Sequence, residues 1–244
     1  MKILICFGTR PEAIKMAPIC LALKEDNIPF KLCVTAQHRE MLDQVLSFFD
    51  LVPDYDLNIM QPNQSLNMLS SRILSEMDNI FEKESFDIVL VHGDTSTSAL
   101  VALSAFHRNC KVAHVEAGLR TYNKNSPFPE ELNRQLTGRI ADFHFPPTKK
   151  AAQNLLIENV EESRVLVTGN TVIDALFITL NRIDKGYTND AIDHLKTTID
   201  FSKKIILVTG HRRESFGVGF ENLCDSILEL SKKEAIEIVY PVHL

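Results

Sequence analysis

The chain has 244 residues, 45% hydrophobic and 24% charged, enough to bury a sizeable core in one large or two smaller domains. A net charge of −6 argues against a nucleic-acid partner, and no apolar run reaches the roughly 20 residues needed for membrane insertion. Five cysteines without a CxxC pair read as small buried hydrophobes, and an N-terminus running straight into a strand leaves the cytoplasm as the expected location.

Lys2–Phe7 is a β-branched apolar run and predicts a strand. Glu12–Lys24 then carries Ile14, Ala17, Pro18 and Leu21 at helical spacing. Phe30–Thr35 predicts a second strand, and His38–Phe49 a helix with Met41, Leu42, Val45 and Phe48/Phe49 on one side. Ser65–Lys83 repeats apolar residues at three- and four-residue steps, the mark of an amphipathic helix. Asp87–Val91, Lys111–Val115, Phe143–Phe145 and Val165–Val167 complete the first series of strands. Near-continuous apolar strands alternating with helices predict a doubly wound parallel α/β sheet, Rossmann-like, covered on both faces. Gly169-Asn170-Thr171 forms a turn and cap before a helix through Leu180. A helix near Asn189, strand Lys204–Val208, helix Gly219–Ser231 and strand Ile236–Val242 follow. The expected organisation is an N-terminal domain over 1–168, a connection over 169–188 and the incomplete start of a second domain over 189–244. Two parallel strands and one helix bury no sheet by themselves, so an apolar edge near the C-terminus is expected to favour self-association.

Ionisable residues collect where strands end. The loops are Gly8-Thr9-Arg10-Pro11-Glu12, Ala36-Gln37-His38-Arg39, His92-Gly93-Asp94-Thr95, His114-Val115-Glu116-Ala117-Gly118 and Gly210-His211-Arg212-Arg213-Glu214. In an open parallel sheet those carboxyl ends form the ligand crevice. Gly8–Glu12 places Pro11 at a helix start whose free N–H groups, with Arg10 and Lys15, suit an anion; an ordinary strand-to-helix turn is the plainer alternative. The loop is neither GxGxxG nor GxxxxGK[ST], so no dinucleotide or ATP site follows. His92/Asp94 and His114/Glu116 are two apart and at strand spacing would point the same way. Their spacing matches no structural zinc pattern. They read either as helix caps and loop acids or as carboxylates poised for acid–base work, with Glu130 and Glu131 adding two more acids at a proline-stiffened helix entry. His211 between a glycine and two arginines suits phosphate binding and proton transfer.

Six blocks carry a family resemblance: Phe7–Pro18, Thr35–Gln44, Val91–Thr95, His114–Thr121, Thr168–Asp174 and Val208–Gly217. In order and over the whole chain they resemble the bacterial non-hydrolysing UDP-N-acetylglucosamine 2-epimerases. The resemblance implies the first part of a two-domain fold of the B-type glycosyltransferase kind, and an isomerase that interconverts UDP-GlcNAc and UDP-ManNAc for cell-surface polysaccharide synthesis. It implies no nicotinamide, metal or other cofactor, and a homodimer in the full-length protein. Asp94, Glu116, Glu130 and His211 match the catalytic positions, and Arg10, Lys15 and Arg212 the substrate contacts. Gln37, Arg212 and His243 match positions where some members bind a regulatory UDP-GlcNAc. Members continue beyond Leu244 with the uridine and diphosphate contacts, so these 244 residues alone are expected to be inactive. The alternatives are a B-type glycosyltransferase and a non-catalytic nucleotide-sugar-binding remnant.

Overall fold

The computed structural model describes residues 1–36, 39–61, 63–209 and 218–241. The expectations placed on Gln37, His38, His211, Arg212, Arg213, Glu214 and His243 lie outside the described residues. The chain divides into two compact units, Met1–Leu180 and Asn181–Leu244.

The first unit is built on six parallel strands: β1 (Ile3–Phe7), β2 (Phe30–Val34), β3 (Tyr55–Asp56), β4 (Ile88–His92), β5 (Lys111–Val115) and β6 (Phe143–Phe145). Their spatial order is β3-β2-β1-β4-β5-β6. The order therefore reverses between β1 and β4, which puts a crevice beyond the carboxyl ends of those two strands.

Strand periodicity sorts the core into two layers. Ile3, Ile5 and Phe7 of β1 face helices α1 (Arg10–Glu25) and α2 (Arg39–Phe48), meeting Ala13, Met16, Ala17, Cys20, Leu42 and Val45. The alternate residues Leu4 and Cys6 face α3 (Leu66–Lys83) and α4 (Ser96–His107), meeting Ile73, Met77, Val101 and Ala102. Every residue of β1 is buried because the strand is covered on both sides. Helices α5 (Glu130–Ile140), α6 (Lys149–Ile157) and α7 (Val172–Asp184) follow. Ala175 of α7 joins the layer that holds α1 and α2.

Two predicted strands differ from what is observed. Val165 makes a single parallel bridge to His144, and Val165–Val167 adds no strand to the sheet. Leu166 and Val167 are 62% and 44% exposed, so the segment's apolar side chains stay largely uncovered. The last strand stops at Val239, short of Pro241, which has no N–H for a ladder. The sequence pattern announces only the first turns of α4 and α5 and none of α6 or β3. In α4 small residues are buried all round, from Thr97 and Ser98 to Ala102 and Ala105, which erases the one-sided period that marks a surface helix.

The second unit contains α8 (Asp190–Thr198), β7 (Lys204–Leu207), α9 (Val218–Ser231) and β8 (Ile236–Val239), with β7 and β8 parallel. Among the described residues its sheet has these two strands, and Leu207, Phe201 and Leu228 are largely exposed.

The turn after β5 is gauged by glycine. Gly118 has φ +84°, and a β-carbon there would lie 2.2 Å from the Ala151 carbonyl oxygen of α6. Gly93, after β4, has φ +63° but open space, its nearest neighbour being a Glu116 oxygen at 4.0 Å. Gly93→Ala is therefore expected to cost about 1–2 kcal/mol through backbone conformation alone. Gly118→Ala adds a backbone overlap and should cost clearly more. Denaturant unfolding of the two variants side by side checks the order; equal losses would contradict it.

Candidate active site

The loop after β1 is organised by a carboxylate of its own. Thr9 caps α1, with Arg10 as its first residue and Pro11 its second, one place later than the sequence suggested. The Glu12 carboxylate accepts from the amides of Gly8 (3.1 Å) and Thr9 (2.8 Å) and from the Thr9 hydroxyl (2.8 Å). The Thr95 hydroxyl donates to its other oxygen at 2.8 Å, while Thr95 also caps α4. Burial raises the Glu12 carboxyl above its ordinary value, and these donors oppose the shift. The amides of Gly8 and Thr9 are thus satisfied by Glu12, and the Glu12 amide by the Thr9 hydroxyl at 3.5 Å. The Thr-x-x-Glu capping box was the available sequence signal for this role. Arg10 is exposed and forms no ion pair among the described residues.

Glu116 sits immediately after β5 with φ +59°, a left-handed conformation that costs a residue with a β-carbon on the order of 1 kcal/mol. That turn delivers its carboxylate to the α1 side of the sheet. Lys15 Nζ donates to both of its oxygens at 2.8 and 2.6 Å, and Asn170 Nδ2 donates to Oε2 at 2.8 Å. Asn170 also accepts from the Val172 amide at 3.1 Å, capping the start of α7. The sequence showed Asn170 as part of a turn and gave no hint of this second bond.

The i,i+2 pairing of histidine and acid does not survive the turns. His92 approaches Glu116, with Nε2 3.8 Å from Oε2, and His114 Nε2 meets the Gly93 carbonyl oxygen at 2.7 Å. A carbonyl accepts only, so His114 carries its proton on Nε2. His144 is the register partner of His114 on β6. All three rings are buried, and burial is the chief cause holding His92 and His114 down at about 3 and His144 at about 4. They are neutral at physiological pH.

Asp94, in the turn after β4, is bonded by Arg134 Nη2 of α5 at 2.5 Å. Burial raises its carboxyl; Arg134 opposes the rise, and the charges of Glu130 and Glu116 add to it. Those influences put Glu116 and Glu130 in the electrostatic neighbourhood of Asp94. Glu130 and Glu131 have separate tasks. Glu131 is fully buried and accepts from the amides of Thr121 (3.0 Å) and Tyr122 (2.9 Å) and from Gln135 (2.7 Å), while Glu130 is half-buried at the first turn of α5. Burial pushes the Glu131 carboxyl up, but those donors together outweigh it and hold it below its ordinary value.

The fold and these residues define a doubly wound nucleotide-binding-type domain with three carboxylates and a lysine at its switch point. A family model described as UDP-N-acetylglucosamine 2-epimerase matches residues 21–244. The UDP-N-acetylglucosamine 2-epimerases of Salmonella typhimurium and Escherichia coli K12 are 54% and 55% identical to it over the whole chain, which covers 66% of each. The crystal structure of UDP-GlcNAc 2-epimerase from Neisseria meningitidis bound to UDP-GlcNAc superposes with a TM-score of 0.90 at 50% identity, over 100% of this chain and 66% of that one. The chain belongs to the UDP-N-acetylglucosamine 2-epimerase family and spans just under two thirds of the length of the curated relatives it matches. No helix among the described residues is long and apolar enough to cross a membrane.

The neutral histidines have a consequence for acid stability. In the unfolded chain each takes up a proton near its ordinary value of 6.5; in the fold His92, His114 and His144 resist until about 3, 3 and 4. Their contribution is complete above pH 6.5 and is lost as pH falls toward 3–4. Within that window up to about three protons bind on unfolding, a slope approaching roughly 4 kcal/mol per pH unit. Urea unfolding at pH 7, 6 and 5 is expected to show accelerating loss; an unchanged midpoint down to pH 5 would contradict the assignment.

Proposed function

We propose that this chain serves an isomerase interconverting UDP-GlcNAc and UDP-ManNAc, supplying precursor for a cell-surface polysaccharide. The observation that carries the reading is the gathering of Asp94 after β4, Glu116 after β5 and Glu130 at the start of α5, the last two both acting on Asp94. A relative solved with UDP-GlcNAc shares half of the sequence.

The hydrogen at sugar C2 is not acidified by a carbonyl, so direct removal is unfavourable. Cleavage of the C1–O bond to UDP builds positive charge at C1, which nearby carboxylates stabilise. A base takes the C2 proton, the C1–C2 double bond forms, and UDP departs as an anion, leaving 2-acetamidoglucal. Protonation of C2 from the opposite face and return of UDP to C1 complete the inversion. Two faces of C2 call for more than one acid–base group or for rotation of the sugar, which several carboxylates around one site accommodate. Burial raises the Asp94 carboxyl above its ordinary value, the direction that makes a carboxylic acid a better proton carrier. Lys15, held on Glu116, fits both the orientation of that carboxylate and contact with substrate. In this reading His211 is a further acid–base group, Arg10 and Arg212 contact substrate, and Gln37, Arg212 and His243 belong to a regulatory nucleotide-sugar site. The two-stranded sheet of the second unit supports the further reading that the 244 residues alone bind UDP-GlcNAc weakly.

Incubation with UDP-GlcNAc in deuterated water tests the reaction. Deuterium at C2 without any acceptor is expected in a version of full family length. Transfer of sugar to an acceptor without exchange would replace the epimerase by a glycosyltransferase. Asp94→Asn, Glu116→Gln and Glu130→Gln should each lower kcat by roughly 10²–10⁴-fold with little change in binding. Glu131→Gln is expected to act on stability first, since Glu131 anchors two backbone amides. Calorimetry on the 244-residue chain that showed micromolar binding, with measurable exchange, would overturn its expected weakness.

A further inference from the structure

Asp94 and Glu131 reach the same guanidinium. Arg134 lies one turn into α5, its side chain only 12% exposed, with Nη2 at 2.5 Å from Asp94 Oδ2 and Nη1 at 3.5 Å from Glu131 Oε2. Its Nε is buried without a hydrogen-bond partner. A guanidinium hydrogen-bonded to Asp94 and paired with Glu131 while its Nε goes unpartnered is held in place by the two carboxylates. Glu131 is in turn fixed by the backbone of Thr121 and Tyr122 and by Gln135. The chain of contacts runs from the amides of Thr121 and Tyr122, through Glu131 and Arg134, to the acid that follows β4.

We propose that Arg134 is a positioning residue that fixes the rotamer of Asp94 and opposes the rise of its carboxyl, with Glu131 as the anchor that aims the guanidinium. The proposal rests on the reading of Asp94 as a functional acid. Asp94 stands in unfavourable company: burial, Glu130 at the start of α5 and Glu116 at the end of β5 all push its carboxyl up, and Arg134 is the main opposing charge. Lys15 of α1 is spent on Glu116, and His92 at the end of β4 is neutral. Glu131, kept ionised by its amide donors, balances the arginine's charge. The fork geometry matters because its donors are fixed in direction toward the two acids, whereas an ammonium is a point charge with rotatable donors.

The test has two readouts. First, the Asp94 side-chain carbon is followed by carbon-13 NMR in the whole chain labelled at aspartate, with Asp94→Asn assigning the signal. Arg134→Met and Arg134→Gln should move the Asp94 midpoint up by one unit or more, and Arg134→Lys should restore part of the shift. This titration needs no turnover, so it stands or falls separately from the epimerase reading. Second, in the full-length family context, the neutral variants should lower kcat about 10²-fold, the scale of a misplaced catalytic group. The acid limb of the kcat/KM profile should move to higher pH in parallel. An Asp94 midpoint unchanged in a neutral variant with a wild-type amide fingerprint overturns the proposal. Unfolding of both neutral variants while Arg134→Lys stays folded overturns it too, making Arg134 a structural strut. Absence of C2 exchange in the wild-type full-length enzyme, beside a shifted midpoint, sinks the epimerase reading and leaves the Arg134–Asp94 coupling intact.

Discussion

The buried carboxylate of Glu12 is the fastening on which the crevice depends. It joins the Gly8 turn, the first residues of α1 and the cap of α4, elements that leave the sheet on opposite faces. Parallel topology makes such a fastening necessary. Each crossover sends the chain away from the strand end, and at the switch point neighbouring connections diverge. Without Glu12 the amides of Gly8 and Thr9 and the Thr95 hydroxyl would lose the acceptor they share. Its burial carries an electrostatic cost that its four hydrogen bonds offset, an arrangement that stabilises one geometry and tolerates few others.

Around that fixed point the chemistry is divided by sheet face and by protonation state. Glu116, turned by its left-handed backbone toward α1, is saturated by a lysine and an asparagine. Asp94 is reached from α5 on the other side of its turn. Beneath both lie uncharged imidazoles, which fill space and fix the Gly93 carbonyl without adding positive charge. The carboxylates thus feel their chosen cations, Lys15 and Arg134, and one another.

Much of this was legible in the sequence, for reasons that are local. Runs such as Ile3–Phe7 have one possible meaning in an alternating α/β pattern, and strand ends locate a crevice without any side-chain detail. The placement of Asp94, Glu116 and Lys15 at those ends followed directly. What stayed hidden depends on contacts across the chain. Arg134 has no signature, since an arginine in the second turn of a polar helix reads as solvated surface. Asn170 is 54 residues from the acid it bonds. The tasks of Glu130 and Glu131 differ by a rotation of 100° about a helix, which adjacency in sequence does not resolve. The uniformly buried α4 lacked the periodicity by which helices are recognised.

Gly118 sets the remaining condition. Its backbone lies so close to the Ala151 carbonyl that no side chain fits between the loop and α6, and Asn154 ties down its own carbonyl oxygen at 2.9 Å. The turn that carries Glu116 is therefore measured against the scaffold and has its shape before any ligand arrives. The strain of the left-handed Glu116 is met once, during folding, and does not recur in each encounter with a ligand. A site arranged in that way has little reorganisation energy left to spend, so binding free energy is conserved for distorting whatever it holds.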